Sequence, residues 1–162
     1  MPNHCYQSVY LAGNPKKIDR LYKAVKEERF LDEVIPQPTN LFHGALGEEE
    51  RKMCEEKGIS NWYDWRNENW LTKWDICDAE IDGNGLEYSD DKTEAWFSFR
   101  CWTAWAPPVP VWDRLHALGI EVQADYEDEG LNFAGEYANG VDRVGNYQPW
   151  TIERLEPETE EA

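Results

Sequence analysis

Seven acidic residues, Asp78, Glu80, Asp82, Glu94, Glu121, Asp125 and Glu127, occur in stretches where apolar and polar side chains alternate. Carboxylates act as general acid and base, or as the two arms of a glycosidase, when a pair is held at a fixed separation and burial raises one pKa. Period-two alternation predicts something else: acids on one side of extended chain, apolar residues on the other, and the acids in water. Other reactive patterns are missing. No GxSxG, HExxH, Walker, GxGxxG or EF-hand sequence occurs, and Asp82-Gly83-Asn84-Gly85-Leu86-Glu87 is too short for a calcium loop. Cys5, Cys54, Cys77 and Cys101 form no CxxC pair and have no histidine at ligand spacing, so neither a metal nor a cofactor is expected. His4 beside Cys5 reads as chain flanking the first strand, and His116, near Leu115 and Leu118, as a packed or surface imidazole.

The second group with chemical potential is aromatic. Trp62, Trp65, Trp70 and Trp74 crowd one segment at spacings that match a helical stripe only in part. One reading makes them the cap of a small core, with Asn67 and Asn69 bonding the backbone of a tight connection. The other makes them a pocket in which a ring stacks on a flat, nucleotide-like ligand while Arg66, Glu68, Asn69 and Lys73 orient it.

Charge narrows the choice of partner. The 162-residue chain carries a net charge of −17, and three stretches hold nearly all of it: −6 over residues 78–94, −5 over 121–129 and −4 over 153–162. Such density repels anionic lipid and phosphate backbones, so neither membrane nor direct nucleic-acid binding is expected. It suits solubility, or attraction to a cationic partner. No apolar run approaches the ~20 residues that cross a bilayer, the N-terminal stretch has no signal-peptide pattern, and isolated thiols fit a reducing compartment; a cytoplasmic protein is the expectation.

These residues need elements to hold them. Residues 7–12 read as a first strand, followed by Gly13, then Asn14 and Pro15 as the cap and first turn of a helix with Ile18, Leu21, Tyr22 and Val25 inward and five cations outward. Phe30, Leu31, Val34 and Ile35 lead into Pro36, and a polar helix over residues 48–57 stops at Gly58. Residues 61–75 read as helix or turn. Strands follow from alternation: Cys77, Ala79 and Ile81 inward in the first, and Ala95, Phe97, Phe99 and Cys101 inward in the second, with Trp96, Arg100 and Trp102 outward. After a proline-led helix, Val122, Ala124 and Tyr126 mark another strand, Phe133 to Tyr137 a further one, and 141–147 a possible last strand. The order strand, helix, strand, strand, helix, strand predicts one α+β domain over residues 1–150, ferredoxin-like, with helices on one face of an antiparallel sheet, the other face in water, an extra C-terminal hairpin, and an acidic mobile tail over 151–162.

Four motifs carry a resemblance. The opening Pro2-Asn3-His4-Cys5, the run Asn61-Trp62-Tyr63-Asp64-Trp65-Arg66-Asn67-Glu68-Asn69-Trp70-Leu71-Thr72-Lys73-Trp74-Asp75, the stretch Trp102-Thr103-Ala104-Trp105-Ala106-Pro107-Pro108, and Tyr126-Glu127-Asp128-Glu129-Gly130 with Phe133-Ala134-Gly135 resemble the YubB/Api92-like ferredoxin-like domain family of phages, plasmids and bacteria. The likeness spans roughly residues 1–140 and implies the same fold, with no established activity or catalytic residue to transfer. Leu71 stands where the family pattern leads one to expect glycine. Charge and resemblance together lead to the expectation of a non-enzymatic counter-defence inhibitor, anti-CRISPR-like or DNA-mimic-like. It would present Asp78, Glu80, Asp82, Glu94, Glu121, Asp125 and Glu127, with Trp96 and Trp102 as anchors, to a basic nucleic-acid-binding protein of the host cell. A ligand binder using the tryptophan run is the alternative, and an enzyme of unknown type the third reading. The oligomeric state is left open.

Overall fold

The computed structural model describes residues 2–145. The expected tail over 151–162 and the end of the expected last strand lie outside the described residues. Strand β1 spans His4–Gly13, and helices α1, Pro15–Lys26, and α2, Phe30–Val34, follow it. Next come α3, Glu48–Lys57, and α4, Trp62–Asn69, then strands β2, Cys77–Ile81, β3, Glu87–Tyr88, and β4, Ala95–Ala104. Helix α5, Val109–Ala117, leads to β5, Glu121–Asp128, β6, Ala134–Ala138, and β7, Val141–Gly145.

All pairings within the sheet are antiparallel, in the order β2-β4-β1-β5-β6-β7, with β3 also beside β4. The inner strands β1 and β4, flanked by β5 and β2, give the ferredoxin-like arrangement, and β6 and β7 extend it as the expected hairpin. The fold class is α+β.

The local causes match the sequence. Asn14 caps α1 by accepting from the Lys16 and Lys17 amides, and Pro15 occupies the first turn. Ile18, Leu21, Ala24 and Val25 bury the helix against the sheet. Cys5, Val9 and Leu11 of β1, Phe97 and Phe99 of β4, and Val122, Ala124 and Tyr126 of β5 meet them in one core, which Trp112 and Tyr137 close at the far side. Gly135 is required there: a Cβ on it would lie 2.6 Å from the Tyr126 hydroxyl and 2.5 Å from the Arg143 carbonyl.

Three features depart from the reading by pattern. The first strand starts at His4 and not at residue 7, which brings Tyr6 into the sheet. Strand β2 carries a bulge between Cys77 and Glu80, where Asp78 takes a left-handed φ of 50° and the Ala79 amide donates to Glu28 Oε2 at 2.8 Å. Helix α4 stops at Asn69, so Trp70 is its cap and Leu71 turns the chain with φ 65°.

Candidate binding surface

Strand alternation assigns one face of the sheet to water. Register then aligns outward residues in rows across it: Glu80, Arg100, Ser8, Asp125, Glu136 and Arg143 form one such row, from β2 through to β7. The next row carries Trp102, Tyr6 and Glu127. Glu121 and Glu94 also belong to this face, since both raise the pKa of the outward-facing Tyr10, behind the larger effect of burial. Asp78 joins through its hydrogen bond from the Trp102 indole at 2.7 Å. Glu80, Glu121, Asp125 and Glu127 thus sit in strands of this face with Asp78 at its bulge, while Asp82 and Glu94 lie just outside the strands, after β2 and before β4.

Their charge is not evenly compensated. The strands contain two Lys or Arg residues, Arg100 and Arg143. Arg100 pairs with both Asp82 at 2.9 Å and Glu80 at 3.2 Å, and Asp82 above all keeps its guanidinium protonated beyond the usual range. Arg143 pairs with Glu136 at 3.3 Å. Asp125 and Glu127, on β5, make no salt bridge among the described residues. Partial burial raises the Asp125 pKa. Asp125 and Glu136 oppose each other directly and border a depression of about 180 Å³ lined also by Ser8, Tyr10, Ser98 and Gln123. A paired acid and base would need this kind of juxtaposition, but Asp125 stays exposed despite the desolvation that raises its pKa, and Glu136 already pairs with an arginine.

Trp96 and Trp102 are half-buried and braced. The Trp96 indole donates to Glu87 Oε2 at 2.9 Å. Trp102 stacks on His4 with ring centroids 3.5 Å apart, and Trp74 meets it edge-on at 6.3 Å. The aromatic ring that this face leaves most open is Tyr6, 43% exposed, with His4 edge-on at 5.9 Å. Sequence reasoning missed it because the first strand was started one residue too late to include it.

The tryptophan run is knitted together from within. Trp70 is 1% exposed and its indole donates to the Ile35 carbonyl at 3.0 Å. Trp65 packs edge-on to it at 5.5 Å. Arg66 lies over Trp62 at 5.1 Å and Trp70 at 5.5 Å, donates to Gln37 Oε1 and the Lys73 carbonyl, and has its pKa lowered by burial. Lys73 sits over Trp74 at 4.5 Å and Trp105 at 5.2 Å. Asn69 donates to the Trp65 carbonyl at 2.8 Å, Glu68 is exposed, and Trp62 donates to the Gly44 carbonyl at 3.1 Å. Trp74 is the one member of the run that reaches the acidic face, through Trp102.

No family model matches the chain, and no curated protein does. Among solved structures, the crystal structure of protein api92 from Yersinia pseudotuberculosis, of the family DUF1281, is similar at a TM-score of 0.42 and 9% identity, over 91% of this chain and 99% of that one. A likeness this weak transfers nothing; the fold assignment rests on strand order and register.

Thiol chemistry has little support from the described residues. Burial pushes Cys5 up to about 12 and Cys77 to about 11, and raises Cys101 well above its ordinary value, so these sulfurs stay protonated and weakly nucleophilic. No group of three or more His, Cys, Asp or Glu residues is arranged to hold a metal among the described residues. No helix of the described residues is long and apolar enough to cross a membrane.

Proposed function

We propose that this protein works by binding, presenting its open acidic sheet face to a cationic partner protein whose groove otherwise holds nucleic-acid phosphates. The supporting observation is register: strands far apart in sequence bring Glu80, Glu121, Asp125 and Glu127 to one surface, Asp78 joins it through Trp102, and the strands supply two cations there, Arg100 on Glu80 and Asp82 and Arg143 on Glu136. Neighbouring strands lie ~4.8 Å apart and duplex DNA carries one charge per ~1.7 Å of axis, so a single row of carboxylates is sparser than phosphates, and two or more rows of the face must act together on a DNA-binding groove. A host nuclease complex of the kind counter-defence inhibitors block is the partner class this favours.

The test is displacement of a fluorescent duplex from purified host DNA-binding proteins. The wild-type chain should release the duplex, with a steep loss between about 50 and 200 mM salt. Asp125→Lys with Glu127→Lys should abolish release, while Glu55→Lys with Glu56→Lys on α3, the same change in net charge, should leave it intact. Equal behaviour of the two double variants, or no release by wild type at low salt, would sink the proposal.

A further inference from the structure

Net charge alone does not distinguish one cationic partner from another, but the open face is asymmetric in a way that does. Its β2 side is internally matched, because Arg100 already occupies Glu80 and Asp82. Its β5 side offers Asp125 and Glu127 with no salt bridge among the described residues, because the two strand cations in the Asp125 row are already engaged, Arg100 on Glu80 and Asp82 and Arg143 on Glu136. Between the two lies β1, whose outward residues alternate large and small: Tyr6, then Ser8, then Tyr10. Tyr6 is flanked in register by Glu127 on one side and Trp102 on the other. Two residues along β1, Ser8 opens the depression bordered by Asp125 and Glu136.

Resting on the acidic-face reading above, we infer that the β1–β5 half of this face recognises arginine specifically, with one guanidinium lying flat on the Tyr6 ring against Glu127 and a second entering the depression at Ser8 beside Asp125. A planar guanidinium stacks on an aromatic ring and forks onto a carboxylate at once; a lysine ammonium is a hydrated point charge that gains less from a ring-and-carboxylate pair. Residues two apart on a strand are ~6.6 Å apart, the spacing of arginines at alternate positions of an extended segment or one turn apart on a helix. The occupant is therefore an arginine-rich segment of a partner protein, with Arg100 excluding it from the β2 side.

The probes are oligo-arginine and oligo-lysine peptides of equal length and charge, titrated by calorimetry onto the full chain, its Tyr6→Leu and Tyr6→Phe variants, and Glu127→Gln, with thermal melts checking that each variant is folded. Wild type should bind the arginine peptide at least about fivefold tighter than the lysine peptide. That ratio should collapse in Tyr6→Leu, survive in Tyr6→Phe, and shrink in Glu127→Gln. Equal affinity for the two peptides, or an unchanged ratio in Tyr6→Leu, overturns the arginine inference and leaves the acidic-face proposal standing. Failure of both peptides to bind at low salt overturns both.

Discussion

Replacing Trp70 decides whether the tryptophan run is core or pocket. A buried tryptophan removes 150–250 Å² from water, so at ~25 cal/mol per Å² truncation to alanine forfeits about 4–6 kcal/mol, in line with the ~3–5 kcal/mol of measured aromatic truncations. Loss of the indole donor also strands the Ile35 carbonyl, for a further ~1–3 kcal/mol, and takes one of the two rings from Arg66. Against a typical total of about 5–15 kcal/mol, Trp70→Ala sits at the edge of folding, which makes Trp70→Phe the sharper variant. It keeps most of the apolar area, loses the hydrogen bond, and should cost about 1–3 kcal/mol, or a melting shift of roughly 2–12 °C for a chain of this size. Urea titration followed by circular dichroism gives both values, with an unchanged m-value showing that the folded state is the same. A cost below about 1 kcal/mol for Trp70→Ala, or equal costs for the two variants, would deny the burial argument, and a Trp70→Phe cost near zero would deny the carbonyl bond.

Two further outcomes follow from strained or displaced groups. Leu71 holds a left-handed φ of 65° and is 42% exposed, so Leu71→Gly should relieve ~1–2 kcal/mol of strain against ~0.5–1 kcal/mol of added unfolded-state entropy; a modest rise in urea midpoint is expected, and a fall would show that the Leu71 side chain packs usefully. Asp75 accepts from the Leu31, Asp32 and Ile76 amides, yet burial outweighs these bonds and lifts its pKa to about 6 from 3.8. With the folded pKa raised for an acid, the native state binds the extra proton, so this residue's contribution to stability falls as pH rises through the window, by about 2 kcal/mol between pH 4 and 6; Asp75→Asn should remove that slope in denaturation measured across the window, and an unchanged slope would locate it elsewhere.

How much of this was legible depended on periodicity. In β4 and β5 the alternation of Phe97, Phe99, Val122 and Ala124 with polar neighbours is strict, so the face of each acid followed from counting by two. The bulge at Asp78 was invisible because it needs a positive φ that nothing in an Asp-Ala-Glu sequence announces. Trp70 and Trp74 fall off the helical stripe because α4 ends before them, and the contacts that explain them, with Ile35 and Trp102, are long-range pairings that no local spacing encodes. Arg100 stood at an outward position from the start, but its grip on Glu80 and Asp82 depends on which strand lies beside β4, and topology alone supplies that. The assignment of the face to arginine rests on Tyr6, a residue placed before the first strand when only the sequence is read.

Strand β7 has a consequence of its own. Val141, Asp142, Arg143 and Val144 are all exposed, so among the described residues no side of this ribbon is sealed by apolar packing; its ladder to β6, Tyr126 donating to Asp142 at 2.6 Å and Glu136 on Arg143 help to fasten it. Such a margin opens and closes as a subglobal unit while the inner strands stay shut, because its separation exposes little oil to water. The rim beside Asp125 and Glu136 thus borders a strand whose separation exposes little apolar surface, so this margin can adjust its curvature without loosening the inner strands.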